Sequence, residues 1–194
     1  TSGISVEIRE IKLQNKPIDF LHSSPKGTVP ILILNSEKIF EESLDIILWA
    51  LKINDPKNWL AGGRLDQGQI NKMLTILEYD FKQNLDKYKY PNRYENINKN
   101  LHRDKNLKFL SNLNDLLEKN KALNCKHLSM VDYAIFPFIR QFRNVDELWF
   151  DSLDFIFLKK WLYQIIDSRE FSSIMNKYKL WEPNQNPIYT NFSS

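Results

Sequence analysis

Ser24-Pro25-Lys26-Gly27-Thr28-Val29-Pro30 leads into the apolar run Ile31-Leu32-Ile33-Leu34, then a polar turn at Asn35-Ser36-Glu37-Lys38, then Ile39-Phe40-Glu41-Glu42-Ser43-Leu44-Asp45. Pro25 and Gly27 mark a turn. The apolar run is short and unbroken, which predicts a strand buried on both faces. Asn35 to Lys38 predicts a hairpin tip, with Ile39 and Phe40 on the returning strand. Ser43 is expected to be the N-cap of the helix that follows, and Asp45 places negative charge in its first turn.

Two features of this stretch suggest chemistry. Proline cannot donate to a sheet ladder, and Pro30 stands at the mouth of the predicted strand. A cis bond between Val29 and Pro30 would turn the Val29 N–H and C=O outward, where they suit an extended, peptide-like ligand. Glu42-Ser43 stands at a helix N-terminus, where free N–H groups and the Ser43 hydroxyl suit a carboxylate. Glu42 beside them suits an ammonium, and an amino acid bears both charges on one carbon. An edge proline and a plain helix cap would produce the same letters, so the local pattern leaves both readings open.

The stretch resembles the second half of the glutathione-binding domain of cytosolic glutathione transferases, a thioredoxin-like fold, and most of all omega-like and bacterial members. The resemblance runs from Gly3 to about Trp181. It implies that Val29, before a cis Pro30, pairs its main chain with the cysteinyl part of glutathione. Glu42 and Ser43 would hold the γ-glutamyl end. Lys16, in Asn15-Lys16-Pro17, would reach the glycine carboxylate, with Lys26 as a neighbour of the site. In the family the catalytic Cys, Ser or Tyr sits on a first strand and helix that precede this region. It is therefore expected upstream of Thr1, and no catalytic residue is assigned within the chain.

Composition agrees with one compact unit or two small ones. The chain has 194 residues, 42% of them hydrophobic and 13% aromatic, enough for a substantial core. Its 27 basic and 24 acidic side chains leave a net charge of +3, which gives no reason to expect nucleic acid as a partner. The single cysteine excludes a disulfide framework and fits a reducing, cytoplasmic setting. No apolar run is long enough to span a bilayer, so no membrane association is expected. His22, His102 and His127 lack metal-ligand spacing and are expected at the surface, so no metal is anticipated. Cys125 is expected to be structural.

The expected class is α+β: a thioredoxin-like N-terminal domain of truncated βαββα order, then an all-α helical-bundle C-terminal domain. The boundaries fall at 1–53 for the glutathione-binding domain, 54–63 for a linker rich in Asn, Pro and Gly, and 64–194 for the helical domain. Val6 and Ile8 predict a strand, and Leu44, Ile47, Leu48 and Leu51 an amphipathic helix ending near Ile53. Beyond Gly63, Leu65 to Leu85 predicts one long helix, and Arg93 to Lys119 a second after a break at Pro91. Leu128-Ser129-Met130-Val131-Asp132-Tyr133 predicts a capping box, with Ser129 as cap, that opens a central apolar helix containing Pro137. Helices are expected from Leu158 and from Phe171 to Tyr178, followed by an extended tail.

The functional expectation is a protein that binds glutathione as co-substrate and transfers it to, or reduces with it, a small electrophilic or disulfide-type molecule. By resemblance it would be a homodimer. The alternative is a non-catalytic binding or scaffold module on the same fold.

Overall fold

The computed structural model describes residues 1–35 and 37–190. The chain forms two compact units, Thr1–Trp59 together with the chain from Ser173 onward, and Leu60–Ser172.

The first unit contains β1 (Val6–Ile8), α1 (Ile18–Ser23), β2 (Leu32–Asn35), β3 (Lys38–Phe40) and α2 (Ser43–Ile53), and near the end of the chain β4 (Ile188–Thr190). The βαββα order is the expected one. β2 and β3 pair antiparallel, with Leu32 opposite Phe40 and Ile33 opposite Ile39. At the tip, Asn35 Oδ1 accepts the N–H groups of Glu37 (3.0 Å) and Lys38 (2.9 Å). This is an asparagine-centred turn, and it explains the polar tip. Ser36, part of the expected tip, lies outside the described residues. The surroundings of the strand differ from expectation. Ile33 and Leu34 are 49% and 39% exposed, so β2 is not buried on both faces. The reason is topological: β2 pairs only with β3 and β1 only with β4, so among the described residues no strand joins the two ribbons. Leu51 of α2 is the only apolar side chain of this unit in the buried core among the described residues.

The second unit is helical. α3 (Gln67–Ile76), a π-helical turn Leu77–Phe81 and α4 (Lys82–Lys89) follow one another directly, so the expected long helix is present with a wider turn inside it. Asp66 and Gln69 form a reciprocal capping box at its start. A short 3-10 turn at Pro91–Arg93 ends the run. The second long helix is broken into α5 (Lys99–Lys105) and α6 (Leu107–Glu118). At the break Asn106 is buried, and its side-chain amide donates to the Phe81 carbonyl at 3.2 Å. Asn98, whose side chain accepts from the N–H groups of Asn100 and Leu101, sets the later start.

α7 (Met130–Arg143) runs through the middle of the unit, with Ile135, Phe136, Ile139 and Phe142 buried and Pro137 inside it. α8 (Glu147–Ser152), α9 (Ile156–Ile166) and α10 (Arg169–Ile174) complete the element order, the last ending short of the expected Tyr178. Phe142 is the hub of the core: its ring lies 5.5 Å from Phe81, 5.3 Å from Tyr88 and 6.2 Å from Phe150, all tilted or edge-on.

Candidate functional site

The loop between α1 and β2 is built around Ser24 and Gly27. The Ser24 N–H ends α1 by donating to the Phe20 carbonyl at 2.9 Å, and the Gly27 N–H donates back to the Ser24 carbonyl at 2.9 Å. Gly27 has φ +61°, a conformation that costs glycine little and other residues more. Lys16 packs beside the turn. The Lys16 ammonium lies 3.7 Å from the point where a Gly27 side chain would begin. Lys16 precedes α1 in the chain, so this packing brings it to the loop.

The Val29–Pro30 bond is cis, as expected. Val29 is 46% exposed, and among the described residues its N–H and C=O take part in no main-chain hydrogen bond.

Two side-chain contacts tie this loop to the start of α2. Fully buried Ser24 donates its hydroxyl to Glu41 Oε1 at 2.5 Å. Lys26 Nζ meets Glu42 Oε1 at 3.1 Å, an exposed ion pair that raises the Lys26 pKa, first through the hydrogen bond itself and then through the charge of Glu42. Ser24 and Glu41 were not singled out by the sequence. Their pairing spans 17 positions and belongs to no local motif.

The start of α2 departs from expectation in one respect. Glu42, not Ser43, is the N-cap, with extended backbone at φ −114° and ψ 133°, and Ser43 is the first helical residue. No side chain caps the helix, and its first main-chain bond runs from the Ile46 N–H to the Glu42 carbonyl at 3.1 Å. The N–H groups of Ser43, Leu44 and Asp45 are therefore uncommitted among the described residues, at the positive end of an 11-residue helix. Ser43 and Glu42 are both exposed.

The structure thus joins Lys26 to Glu42 and Lys16 to the Gly27 turn. Among the described residues no hydrogen bond links Lys16, Val29 or Pro30 directly to Glu42 or Ser43. Beside the Lys26–Glu42 pair, the open mouth of α2 offers uncommitted N–H groups that suit an anion.

Elsewhere the chemistry is structural. Cys125 is half-buried, with its Sγ 3.7 Å from the Ala61 carbonyl oxygen. His102 is buried, not at the surface as expected. It is held by Asn84 Oδ1 at 2.7 Å, and burial pushes its pKa down. Among the described residues no group of His, Cys, Asp and Glu is arranged to hold a metal ion, and no helix is long and apolar enough to cross a membrane. A cavity of about 510 Å³ lies along α4, but its charged side chains are engaged nearby, Lys82 with Glu78 at 2.6 Å and Asp86 with the Tyr94 hydroxyl.

Residues 1–58 match the family model described as glutathione S-transferase, N-terminal domain. No curated protein sequence matches the chain. Among solved structures, the ternary complex of BphK, a bacterial GST, is 18% identical, with a TM-score of 0.66 over 84% of this chain and 82% of that one. The glutathione S-transferase from Xylella fastidiosa is 14% identical, with a TM-score of 0.68 over the same shares. A glutathione transferase family member from Pseudomonas fluorescens Pf-5, solved with two glutathione bound, is 17% identical, with a TM-score of 0.66 over 81% of this chain and 74% of that one. Residues 1–58 thus match the N-terminal domain of glutathione S-transferases, and the chain shares the fold of the solved glutathione S-transferases across most of its length.

Proposed function

We propose that this chain binds glutathione on its first unit and is part of an enzyme that transfers glutathione to, or uses it to reduce, a small electrophilic or disulfide-type substrate. The observation that carries this reading is the Lys26–Glu42 contact. It ties the loop leading to Val29–Pro30 to the open mouth of α2. Support also comes from the similar structure solved with glutathione bound, whose ligand is assigned here by analogy.

In this reading the γ-glutamyl carboxylate meets the uncommitted N–H groups of α2 and the Ser43 hydroxyl. Its ammonium meets Glu42, displacing or sharing Lys26. The cysteinyl main chain pairs with the Val29 N–H and C=O beside Pro30. The glycine carboxylate meets Lys16. These residues bind and orient the tripeptide. No residue of this chain is assigned the role of activating its thiol. The same reading takes the protein to be a cytoplasmic homodimer.

Calorimetric titration with glutathione tests the binding step. A measurable dissociation constant, raised about a hundredfold when Glu42 and Ser43 are both replaced by Ala, is the expected result. No binding by the unsubstituted protein would favour a scaffold role on the same fold, and binding untouched by the double substitution would place the ligand elsewhere.

A further inference from the structure

The segment Ile188–Thr190 lies on the first strand. β4 pairs antiparallel with β1, with Val6 opposite Thr190 and Ile8 opposite Ile188. Thr190 is buried, and its hydroxyl lies 3.5 Å from the Val6 carbonyl oxygen. A second anchor sits at the other end of the strand. The Trp181 N–H donates to the Glu10 carbonyl at 2.7 Å, and Leu180 bridges to Glu10. The Arg9 guanidinium stands 4.9 Å from the centre of the Trp181 ring, held in turn by Glu7 at 2.8 Å. Between the anchors a turn closes from the Gln185 N–H to the Glu182 carbonyl, with Asn184 at φ +66°.

The position of the second anchor matters. Glu10 stands two residues before the turn in which Lys12 and Asn15 bridge and the Asn15 N–H donates to the Lys12 carbonyl at 3.1 Å. Lys16 is the next residue. The segment from Glu10 to Lys16 has no buried apolar side chain of its own, and Leu13 is 55% exposed. A segment so poor in buried contacts depends on its hydrogen-bonded ends for order.

The geometry points to Leu180–Thr190 as a strap that fixes the arm bearing Lys16, with Trp181 as a positioning residue for recognition of the glycine carboxylate of glutathione. This rests on the glutathione assignment above. Trp181 touches no ligand. It acts through Arg9 and the Glu10 main chain, and so on the place where the Lys16 ammonium can wait.

Three variants test this: Trp181→Ala, Tyr189→Pro and Lys16→Ala. Tyr189 is 62% exposed, so its replacement by proline removes an N–H and the strand conformation with little loss of packing. Hydrogen exchange reads the arm without any ligand. The two strap variants should speed exchange over residues 6–16 by about tenfold or more and leave 107–118 unchanged. Calorimetry then compares glutathione with γ-glutamylcysteine, which lacks the glycine carboxylate. Lys16→Ala should weaken glutathione about tenfold, the worth of one charge-assisted hydrogen bond, and the strap variants by part of that. Neither should alter γ-glutamylcysteine binding. Adding Trp181→Ala to Lys16→Ala should cost nothing further.

Unchanged exchange in residues 6–16 overturns the strap, as does an equal loss of affinity for both peptides or a fully additive double variant. If the unsubstituted protein binds neither peptide, the glutathione assignment and the role of Trp181 in recognition both fail. The exchange result then decides separately whether the tail holds the arm.

Discussion

Lys26 Nζ and Glu42 Oε1 meet at 3.1 Å across 16 positions of sequence, with both side chains more than half exposed. So exposed a pair adds little to stability, and Lys26→Met should leave the unfolding free energy almost unchanged. The pair matters for what it places. With Glu42 and Ser43 both replaced by Ala, glutathione should bind about a hundredfold more weakly, the loss of two charge-assisted hydrogen bonds. Chemical denaturation read beside calorimetric titration separates the two effects. A loss of binding that tracks a loss of stability would mean the site has unfolded, not that its contacts are gone.

The helical unit holds a fully buried carboxylate with no ion-pair partner among the described residues. Asp132 Oδ1 accepts the Trp161 indole N–H at 2.9 Å and the Leu123 N–H at 2.9 Å, while Oδ2 accepts the Ser129 N–H at 2.9 Å and the Ser129 hydroxyl at 3.0 Å. One side chain thus locks the start of α7 to α9 and to the loop before it. Asp132→Ala would leave buried donors without acceptors, at about 4 kcal/mol or more of unfolding free energy. Ser129→Ala should cost about 1 kcal/mol and Trp161→Phe roughly 1–2 kcal/mol. Denaturant midpoints at constant slope measure all three. A cost for Asp132→Ala no larger than that for Ser129→Ala would show that the other donors find water instead.

How much of this was legible in the sequence depends on the distance over which each feature is encoded. The Ser129–Asp132 box and the helix from Ser43 to Ile53 are written within a few residues, and both stand where their letters put them. The α5–α6 break at Asn106 was not legible, because its cause is the Phe81 carbonyl 25 positions away. Nor was the exposure of Ile33 and Leu34, because an apolar run states a preference for burial and says nothing about how many neighbours a strand obtains. In the candidate site, Lys16, Val29, Pro30, Glu42 and Ser43 were named through family resemblance. The Ser24–Glu41 bond joins residues 17 positions apart and forms only when the loop closes on the start of α2, so no local pattern could announce it.

Gly63 is required by a close approach, not by its backbone angles. A methyl group there would overlap the Asn124 carbonyl oxygen. That carbonyl accepts the Arg64 N–H at 3.0 Å, and the Asn124 side chain accepts the Leu65 N–H at 2.9 Å. The Arg64 guanidinium extends the same seam to the carbonyls of Leu116 (2.7 Å) and Leu123 (2.9 Å). Backbone cannot yield as a flexible side chain can, so Gly63→Ala should destabilise the helical unit by about 2 kcal/mol, within the usual range for overpacking. Gly62, which has open space around it, serves as the control, and Gly62→Ala should be neutral to within about 0.5 kcal/mol. Equal melting temperatures for the two variants would show that the chain at 63–65 can move away from Asn124.

Asp151 gives the helical unit a defined response to acid. Burial pushes its pKa up, but the Arg143 guanidinium at 3.0 Å and the Tyr163 hydroxyl at 2.8 Å outweigh that, and the net shift is downward. A carboxylate with a depressed folded-state pKa takes up its proton more readily when unfolded. Its contribution is therefore fully present above the ordinary aspartate value of about 3.9 and is lost as pH falls through the lower folded value. The window lies below about pH 4, and stability near neutrality should not depend on pH through this group. Asp151→Asn keeps the size and much of the hydrogen bonding but cannot titrate. Urea unfolding at a series of pH values from 7 down to the acid limit should show the unsubstituted protein losing stability more steeply below pH 4 than the variant. The Arg143 guanidinium also meets Glu147 at 3.1 Å, so part of the cation's field remains satisfied in the variant. Parallel curves for the two proteins through that window would mean that the Asp151 carboxylate has the same pKa folded and unfolded, and that its contacts with Arg143 and Tyr163 do not outweigh its burial.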